Sequence, residues 1–246
     1  MISYKLPIQW RLECHDELKS TSDFCRHRAE EGAAEGLAVL AFKQTTGRGT
    51  RGRHWIDPGG NLSFSLLLRP ENPNELIRAL PFICALAFLN ALRKFAPDAR
   101  LSLKWPNDIL LDQKKLAGVL IERGEAKNPW IVIGMGANLK AAPTIPDRPL
   151  AFLGEVTIPP HPKIVAQAVL SELSIELMQW AEAGFAPLRQ RWLADAHPLG
   201  THLAVQRGDN YINGSFAGLD ELGRLLLRTD QNETLSFVTG DILLIA

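Results

Sequence analysis

The pattern of the chain changes near Pro198, and this change constrains the fold more than any other feature. Before it, short apolar runs typical of strands accompany two long helical segments, residues 76–95 and 164–183. After it, short alternating segments follow one another with turn residues between them, which is typical of a small β-barrel. The sequence therefore predicts an α+β domain over residues 1–196 and a β domain over residues 197–246.

Composition argues against several classes of protein. Lysine plus arginine total 27 and aspartate plus glutamate total 27, so the chain has no net charge. A general nucleic-acid or membrane-surface role is therefore not favoured, because such roles usually go with an excess of positive charge. Cys14, Cys25 and Cys84 are widely spaced, form no metal-ligand pattern and indicate a reducing compartment. The longest apolar run, residues 81–92, is too short to span a bilayer and predicts a buried helix, and the N-terminus has no apolar signal core. We therefore expect a cytoplasmic protein.

The segment GRGTRGRHW, residues 47–55, places three arginines and three glycines in one loop of an uncharged chain. Glycine lets backbone N–H groups approach a ligand closely, and arginine presents a planar fork of donors suited to phosphate or carboxylate. The loop is therefore predicted to wrap an anion and to become ordered around it. The alternatives are a solvated basic turn and an RNA-binding segment, although this segment occurs once and Trp55 is its only aromatic residue.

A second candidate segment is LKWPNDILL, residues 103–111. Pro106 restricts the backbone, so Asn107 and Asp108 are presented in a defined geometry. An amide can contact a purine edge, and a carboxylate can bind Mg²⁺. The alternative is a simple strand–turn–strand with an Asn-Asp turn.

A third candidate segment is DQKKLAGVLIE, residues 112–122. Two lysines precede an apolar strand that is predicted to be buried on both faces, so a lysine at its entrance lies at the rim of the core and can meet an anion there. Gly118 leaves room for a flat group against the sheet. The alternative is a solvated Lys-Lys turn with Gly118 as a bulge, and one of the two lysines is expected to point outward.

The segment IVIGMGANL, residues 131–139, has a GxG pattern after a strand. It lacks the third glycine and the following βαβ unit of a dinucleotide-binding fingerprint, so it is a poor Rossmann signal. Asn138, after the two glycines, still suits the edge of a ligand. The six histidines show no ligand spacing and are predicted to be surface residues or core residues with satisfied partners.

The order and spacing of these motifs resemble those of the biotin protein ligases, also called biotin–[acetyl-CoA-carboxylase] ligases. The resemblance covers residues 12–138 by motif, and the C-terminal segment matches the family's small SH3-like domain in pattern. The motifs that carry it are Ser20-Thr21, Gln44, Gly47-Arg48-Gly49-x-x-Gly52-Arg53-x-Trp55, Lys104-Trp105-Pro106-Asn107-Asp108, Lys115-Leu116-Ala117-Gly118 and Gly134-x-Gly136-x-Asn138. It implies a mixed sheet with flanking helices, like that of class II aminoacyl-tRNA synthetases, plus an SH3-like β-barrel.

The resemblance implies a two-step, ATP-dependent reaction. The carboxylate of biotin attacks the α-phosphorus of ATP, with Mg²⁺ as cofactor, and gives biotinyl-5′-AMP and pyrophosphate. A lysine of a biotin carboxyl carrier protein then attacks this mixed anhydride, and AMP leaves. The basic loop would fold over the reactive adenylate, exclude water and offset the charge of the phosphate.

The resemblance also implies roles for individual residues. Lys115 is implied to contact both the biotin carboxylate and the α-phosphate, with Arg48 and Arg53 as further catalytic residues. The residues implied to bind biotin are Ser20, Thr21, Ser22, Gln44, Arg48, Gly49, Thr50, Trp55, Lys115 and Gly118. Those implied to bind the nucleotide are Arg51, Arg53, Lys104, Asn107, Asp108 and Asn138, and Asp108 is also the candidate metal ligand.

Two positions depart from the family pattern. Ser22 stands where the family commonly has asparagine, and Thr50 stands where its loop commonly has arginine. We expect the missing guanidinium to speed release of biotinyl-5′-AMP relative to a Thr50→Arg variant. The first ligase motif begins by Ser20, which leaves no room for the DNA-binding domain of the family's repressor members, so no operator binding is expected.

Two other functions stay open on the sequence. One is a lipoate or octanoate ligase, which shares the fold and the acyl-adenylate chemistry, and the other is a biotin or nucleotide sensor without turnover. The motif at residues 104–108 and the basic loop favour biotin, and Lys115 argues against a sensor. A homodimer formed through a sheet edge occurs in the family, but no residue in this sequence is diagnostic of one.

Overall fold

The computed structural model describes residues 6–71, 73–124, 129–146, 148–208, 210–238 and 240–244. The strands within these residues are β1 (Arg11–His15), β2 (Leu37–Ala41), β3 (Gly47–Arg48), β4 (His54–Trp55), β5 (Leu62–Leu68), β6 (Leu101–Lys104), β7 (Asp108–Leu111), β8 (Lys114–Gly124), β9 (Trp130–Ala137), β10 (His202–Arg207), β11 (Asn210–Leu219), β12 (Leu225–Arg228), β13 (Thr234–Phe237) and β14 (Ile242–Leu244). The α-helices are α1 (Thr21–Glu30), α2 (Pro73–Arg93), α3 (Pro162–Ala183) and α4 (Phe185–Ala194).

The main sheet has seven strands in the order β1-β2-β5-β9-β8-β7-β6. β1 and β2 are parallel, and the other neighbouring pairs are antiparallel. The predicted mixed sheet is therefore confirmed. Its strand β5 is buried along its whole length, because α1 packs on one side of it and α3 on the other.

The two faces of this sheet carry separate apolar cores. Side chains alternate along a strand, so Leu37 and Val39 of β2 pack in the same core as Cys25 of α1. Ala38 and Leu40 join the larger core on the opposite face, where α2 and α3 lie. Burial on both faces explains why residues 37–41 form a continuous apolar run rather than an alternating one.

Most of α2 is apolar and buried, because it packs against the sheet, α3 and α4. The apolar run of residues 81–92, predicted to be a buried helix, is the C-terminal part of this longer helix. By length and composition alone α2 could cross a membrane, but 72% of its most apolar stretch is buried inside the fold. The prediction of burial is therefore confirmed, whereas the argument from a short apolar run does not hold for the whole helix.

The second sheet is antiparallel, with the strand order β13-β12-β11-β10-β14. This confirms the predicted C-terminal β architecture. The apolar core continues from the main sheet into this second sheet, which contributes Leu203 and Phe216 to it. Trp105, which precedes β7, is buried and donates its indole N–H to the backbone oxygen of Gly223 at 3.1 Å. The two sheets are therefore joined by shared core and a buried hydrogen bond.

Several predicted boundaries were wrong. The first strand lies at Arg11–His15 rather than at residues 9–13. Helix α4 was not predicted, because Gly184, with φ of +75°, ends α3 and the helix resumes only after it. Both lysines of the third candidate segment lie inside β8 rather than before it. Leu120 and Ile121 of that strand are only half-buried, so the prediction that it is buried on both faces was wrong for this part.

Candidate active site

A cavity opens on the face of the main sheet that carries α1, over β5, β9 and β8. The empty space in and over it amounts to about 440 Å³, part of it open to solvent. The predicted site residues that line it are Thr21, Ser22, Gln44, Arg48, Gly49, Thr50, Trp55, Asn107, Lys115 and Gly118. The strands add lining residues that were not predicted to be site residues, namely Ser63, Phe64, Val119, Leu120, Gly134, Met135 and Gly136.

The start of α1 places polar side chains at one end of this cavity. Ser20 is the N-cap, and its hydroxyl accepts a hydrogen bond from the backbone N–H of Asp23 at 3.2 Å. The next two residues, Thr21 and Ser22, begin the helix and line the cavity. Ser20 was predicted to bind biotin, but here its side chain caps the helix and is not among the lining residues.

A chain of hydrogen bonds with a fixed direction runs through this end of the cavity. The backbone N–H and the hydroxyl of Thr21 both donate to Gln44 Oε1, at 2.7 and 3.0 Å. Ser65 Oγ donates to Thr21 Oγ1 at 2.8 Å. Because this uses the only proton of Ser65, Ser22 Oγ must donate to Ser65 across the 3.1 Å between them. The lone pairs of Ser22 and the amide NH₂ of Gln44 are not used within this network, so it offers acceptors and donors to a ligand.

Trp55 of β4 lines the cavity and packs on the main sheet. Its indole lies against the backbone of β9, where a Cβ on Gly136 would sit 2.6 Å from Trp55 Cε2. A Cβ on Gly134 would similarly sit 2.5 Å from Ser22 Oγ. The two glycines of the GxG pattern therefore allow close packing of side chains on the strand, and no dinucleotide fingerprint is needed to explain them.

Lys115 lines the cavity. Its Nζ is 2.6 Å from Asp108 Oδ1 and 6.0 Å from the centroid of the Trp55 ring. A Cβ on Gly118 would sit 3.1 Å from this Nζ, so the missing side chain of Gly118 makes room for the ammonium group itself. Lys114, its neighbour in β8, is exposed. The structure thus separates the two lysines as the sequence predicted and assigns the cavity to Lys115.

Arg48 is held in the cavity wall by two carboxylates. Its guanidinium makes a bidentate contact with Glu122, at 2.9 and 2.7 Å, and a further hydrogen bond to Asp23 at 2.9 Å. Burial opposes the charge of Arg48, but the hydrogen bonds and charges of Glu122 and Asp23 outweigh it and raise its pKa. Neither carboxylate was predicted. Glu122 could have been found from its period-two spacing with Gly118, which puts both on the cavity face of β8.

Arg53 points away from the cavity in this structure. Its guanidinium makes a bidentate contact with Asp241, at 3.0 and 3.1 Å, and also donates to the hydroxyl and the backbone oxygen of Thr50. Arg51 contacts the same carboxylate at 3.4 Å. Neither arginine is among the residues that line the cavity, and the expectation that Arg53 faces a phosphate stays a prediction. No sequence signal pointed to Asp241, which lies almost 190 residues further along the chain.

Lys104 lies beside the Lys115–Asp108 pair, since it faces Asp108 across the β6–β7 register. Burial lowers the pKa of Lys104, the charge of Asp108 opposes this, and Lys115 lowers it further. His197 is 6% exposed, and its Nε2 has no hydrogen-bond partner among the described residues. Burial, together with the charge of Lys104, lowers the pKa of His197 to about 4. The prediction that every core histidine has satisfied partners was therefore wrong for His197.

The two asparagines predicted to bind the nucleotide differ in position. Asn107 lines the cavity and donates its amide to the backbone oxygen of Val119. Asn138 is 2% exposed, donates to the backbone oxygen of Ala151 at 3.0 Å and is not among the lining residues. Its Oδ1 has no partner among the described residues. The structure therefore brings Asn107, but not Asn138, to the cavity surface.

The described residues contain no group of three or more His, Cys, Asp or Glu side chains arranged to hold a metal ion. Asp108, the predicted ligand, is a single carboxylate that is already paired with Lys115. One carboxylate is what Mg²⁺ commonly takes from a protein when substrate phosphates and water supply its other ligands. The donor set therefore fits Mg²⁺ bound together with a nucleotide, rather than a metal ion bound by the protein alone.

Two family models match the sequence. The Biotin/lipoate A/B protein ligase family matches residues 16–138, which hold the cavity, and the Biotin protein ligase C terminal domain matches residues 199–244, which hold the second sheet. A biotin–[acetyl-CoA-carboxylase] ligase of Paracoccus denitrificans is 36% identical over 207 residues, which cover 80% of this chain and 86% of that protein. The bifunctional ligase/repressor BirA of Escherichia coli is 32% identical over 87% of this chain and 69% of its own length.

Solved structures of biotin protein ligases also resemble this fold. The biotin protein ligase of Aquifex aeolicus in complex with biotin and ATP matches with a TM-score of 0.81 and 30% identity, over 95% of this chain and 98% of that chain. A Leishmania major biotin protein ligase in complex with biotinyl-5-AMP matches with a TM-score of 0.67 and 25% identity, over 93% of this chain. Sequence and fold agree with the cavity described above, and the chain belongs to the biotin protein ligase family.

Proposed function

We propose that this protein is an ATP-dependent biotin–protein ligase that forms biotinyl-5′-AMP from biotin and ATP and transfers the biotinyl group to a lysine of a biotin carboxyl carrier protein. The observation that carries the proposal is the position of Lys115 Nζ. It lies in the same cavity as the hydroxyl groups of Thr21 and Ser22 and the amide of Gln44. It is also 2.6 Å from Asp108 Oδ1, and Asp108 faces Lys104 across the β6–β7 register. An acid to be activated and a phosphate to activate it would meet at this ammonium group.

The polar end of the cavity suits the ureido ring of biotin. A ureido group has two N–H donors and one carbonyl acceptor, and the network offers the lone pairs of Ser22 and the NH₂ group of Gln44. Trp55, Val119 and Met135 supply apolar surface for the rest of the molecule. A lipoyl group, whose ring has sulfur atoms and no amide, would leave these buried polar groups unpaired, which costs affinity. This observation favours biotin over lipoate or octanoate.

In the first step, a carboxylate oxygen of biotin bonds to the α-phosphorus, the bond from that phosphorus to the bridging oxygen breaks, and pyrophosphate leaves. Negative charge is shared between the carboxylate and the phosphate, and the Lys115 ammonium is placed to stabilise both. Arg48, held by Glu122 and Asp23, keeps its charge near the reacting groups. Mg²⁺ bound by the ATP phosphates would offset further charge, with Asp108 as the protein residue that can hold it.

In the second step, the neutral amine of the carrier lysine attacks the acyl carbon, the bond from that carbon to the phosphate oxygen breaks, and AMP leaves as the nitrogen loses a proton. The cytoplasmic location, the homodimer and the absence of operator binding stay predictions.

Pyrophosphate release with biotin and MgATP, followed by label transfer to a carrier domain, tests the proposal. We expect activity with biotin, far less with lipoate, and loss of both steps in Lys115→Ala. Lys114→Ala is the matched control, because Lys114 is the exposed neighbour in the same strand, and it should retain activity. Equal activity of Lys115→Ala and Lys114→Ala, or a preference for lipoate, would contradict the proposal.

A further inference from the structure

Asp241 connects the second sheet to the arginine–glycine loop. It lies directly before β14, and its backbone oxygen accepts a hydrogen bond from the N–H of Gln206 in β10 at 2.9 Å. Its carboxylate faces the other way and contacts Arg53 through both oxygens. Arg51 reaches the same carboxylate and also donates to Gln206 Oε1 at 3.1 Å. One carboxylate fixed on the second sheet therefore holds two arginines of the loop.

The donors of Arg53 are nearly used up by these contacts. A guanidinium has five N–H groups. Nε donates to the Thr50 backbone oxygen, Nη2 donates to the Thr50 hydroxyl and to Asp241, and Nη1 donates to Asp241. One N–H group is left, so Arg53 cannot grip a phosphate through two parallel hydrogen bonds while it holds Asp241. Arg53 instead connects Thr50 of the loop to Asp241 of the second sheet.

The loop residues that Arg53 contacts belong to the cavity wall. Thr50 and Gly49, which Arg53 contacts through its side chain and backbone, both line the cavity. Arg51 has a left-handed backbone, with φ of 58° and ψ of 37°, which is unfavourable for a residue other than glycine. The loop conformation therefore depends on stabilising contacts from outside the loop. Freed from Asp241, the loop would lose the contact that keeps this conformation over the cavity.

We infer that Asp241 is a positioning residue that holds the arginine–glycine loop over the cavity and thereby slows the escape of the acyl-adenylate. The inference rests on the proposed function for its substrate, but the contact itself does not. The opposite role, in which Asp241 competes with a phosphate for Arg53 and weakens binding, predicts slower escape when the carboxylate is removed. The two roles therefore predict opposite changes in the rate at which the acyl-adenylate is released when the carboxylate of Asp241 is removed.

The first experiment needs no substrate. Trypsin cleaves after arginine, so its rate of cleavage within residues 48–53 of the folded full-length protein reports how firmly the loop is held. Asp241→Asn removes the charge at nearly constant shape, and we expect faster cleavage there. Asp230→Asn, an exposed aspartate in the turn between β12 and β13, is the matched control and should cleave like the unaltered protein. Equal cleavage in Asp241→Asn would overturn the inference.

The second experiment measures release of preformed biotinyl-5′-AMP from the protein. We expect release to be about threefold faster or more in Asp241→Asn, unchanged in Asp230→Asn, and largely restored in Asp241→Glu. A smaller change in the pyrophosphate-forming rate than in the release rate would distinguish positioning from a damaged active site. Unchanged or slower release would overturn the inference. If the unaltered protein formed no adenylate, the proposed function would be contradicted. The trypsin experiment would then still show whether Asp241 holds the loop.

Discussion

Lys114 and Lys115 lie side by side in the chain, yet β8 places them in different surroundings. Lys114 is exposed, whereas Lys115 reaches over Gly118 to Asp108 and the Trp55 ring. Alternation along a strand predicts that one of two adjacent side chains turns inward. The family resemblance pointed to Lys115, and only the register of β8 against β7 shows which carboxylate it meets.

His197 gives the protein a pH dependence that an exposed histidine does not. Its pKa is lowered from 6.5 to about 4 by burial and by the charge of Lys104, so the unfolded chain binds more protons between these pH values. The stability that comes from keeping His197 neutral is present above pH 6.5 and is lost as the pH falls toward 4. The loss amounts to about 1.4 kcal/mol per pH unit in that window.

Urea unfolding at pH 7 and pH 5 measures this effect. We expect the free energy of unfolding of His197→Gln to fall less between the two pH values than that of the unaltered protein. His202→Gln removes an exposed histidine at the start of β10 and should keep the original pH dependence. Parallel curves for His197→Gln and the unaltered protein would show that another group is responsible.

At the scale of elements, buried charge joins the helices behind the sheet. Glu176 of α3 is 2% exposed and accepts hydrogen bonds from Arg191 of α4 at 2.7 Å and from Asn90 of α2 at 3.4 Å. Its other carboxylate oxygen has no partner among the described residues. α4 was not predicted from sequence, and this contact shows why local pattern was insufficient. Its position depends on a partner in another helix.

Removing one member of this group tests its role. Arg191→Gln leaves the Glu176 carboxylate buried without its cation, and we expect a loss of about 3 kcal/mol in the free energy of unfolding. Adding Glu176→Gln to that variant removes the uncompensated charge and should restore much of the loss. Thermal and urea unfolding of the single and double variants measure this. If the double variant were no more stable than Arg191→Gln, buried charge would not be the cause.

Sequence predicted the elements with strong local signals and missed those set by distant contacts. The helix that begins at Thr21 follows a serine N-cap, and α3 follows its apolar period, so both were predicted close to their observed positions. The spacing of Glu122 with Gly118 places it on the cavity face of β8, but its pairing and that of Asp23 could not be assigned, because both depend on Arg48 arriving from another part of the chain. Ser65 of β5 could not be assigned for the same reason, because its hydroxyl completes the hydrogen-bond network only by meeting Thr21 at the start of α1.

At the scale of the whole molecule, the second sheet is joined to the catalytic cavity at two places. Its buried contact with Trp105 lies next to the segment that carries Asn107 and Asp108. Its second contact joins Asp241 to Arg53 of the arginine–glycine loop, whose residues Gly49 and Thr50 line the cavity. The C-terminal residues 197–246 were predicted as a separate domain, and this boundary stays a prediction. The contacts show that residues 197–246 touch two segments that contribute lining residues to the cavity.

In the proposed reaction, Lys115 stabilises the charge that develops between an activated carboxylate and the α-phosphate. A crystal structure with bound biotinyl-5′-AMP tests it most directly. We expect Lys115 Nζ within hydrogen-bond distance of both the acyl and the phosphate oxygens, the ureido ring in contact with Gln44 and Ser22, and the arginine–glycine loop over the ligand. A ligand bound elsewhere in the cavity, with Lys115 still paired only with Asp108, would contradict it.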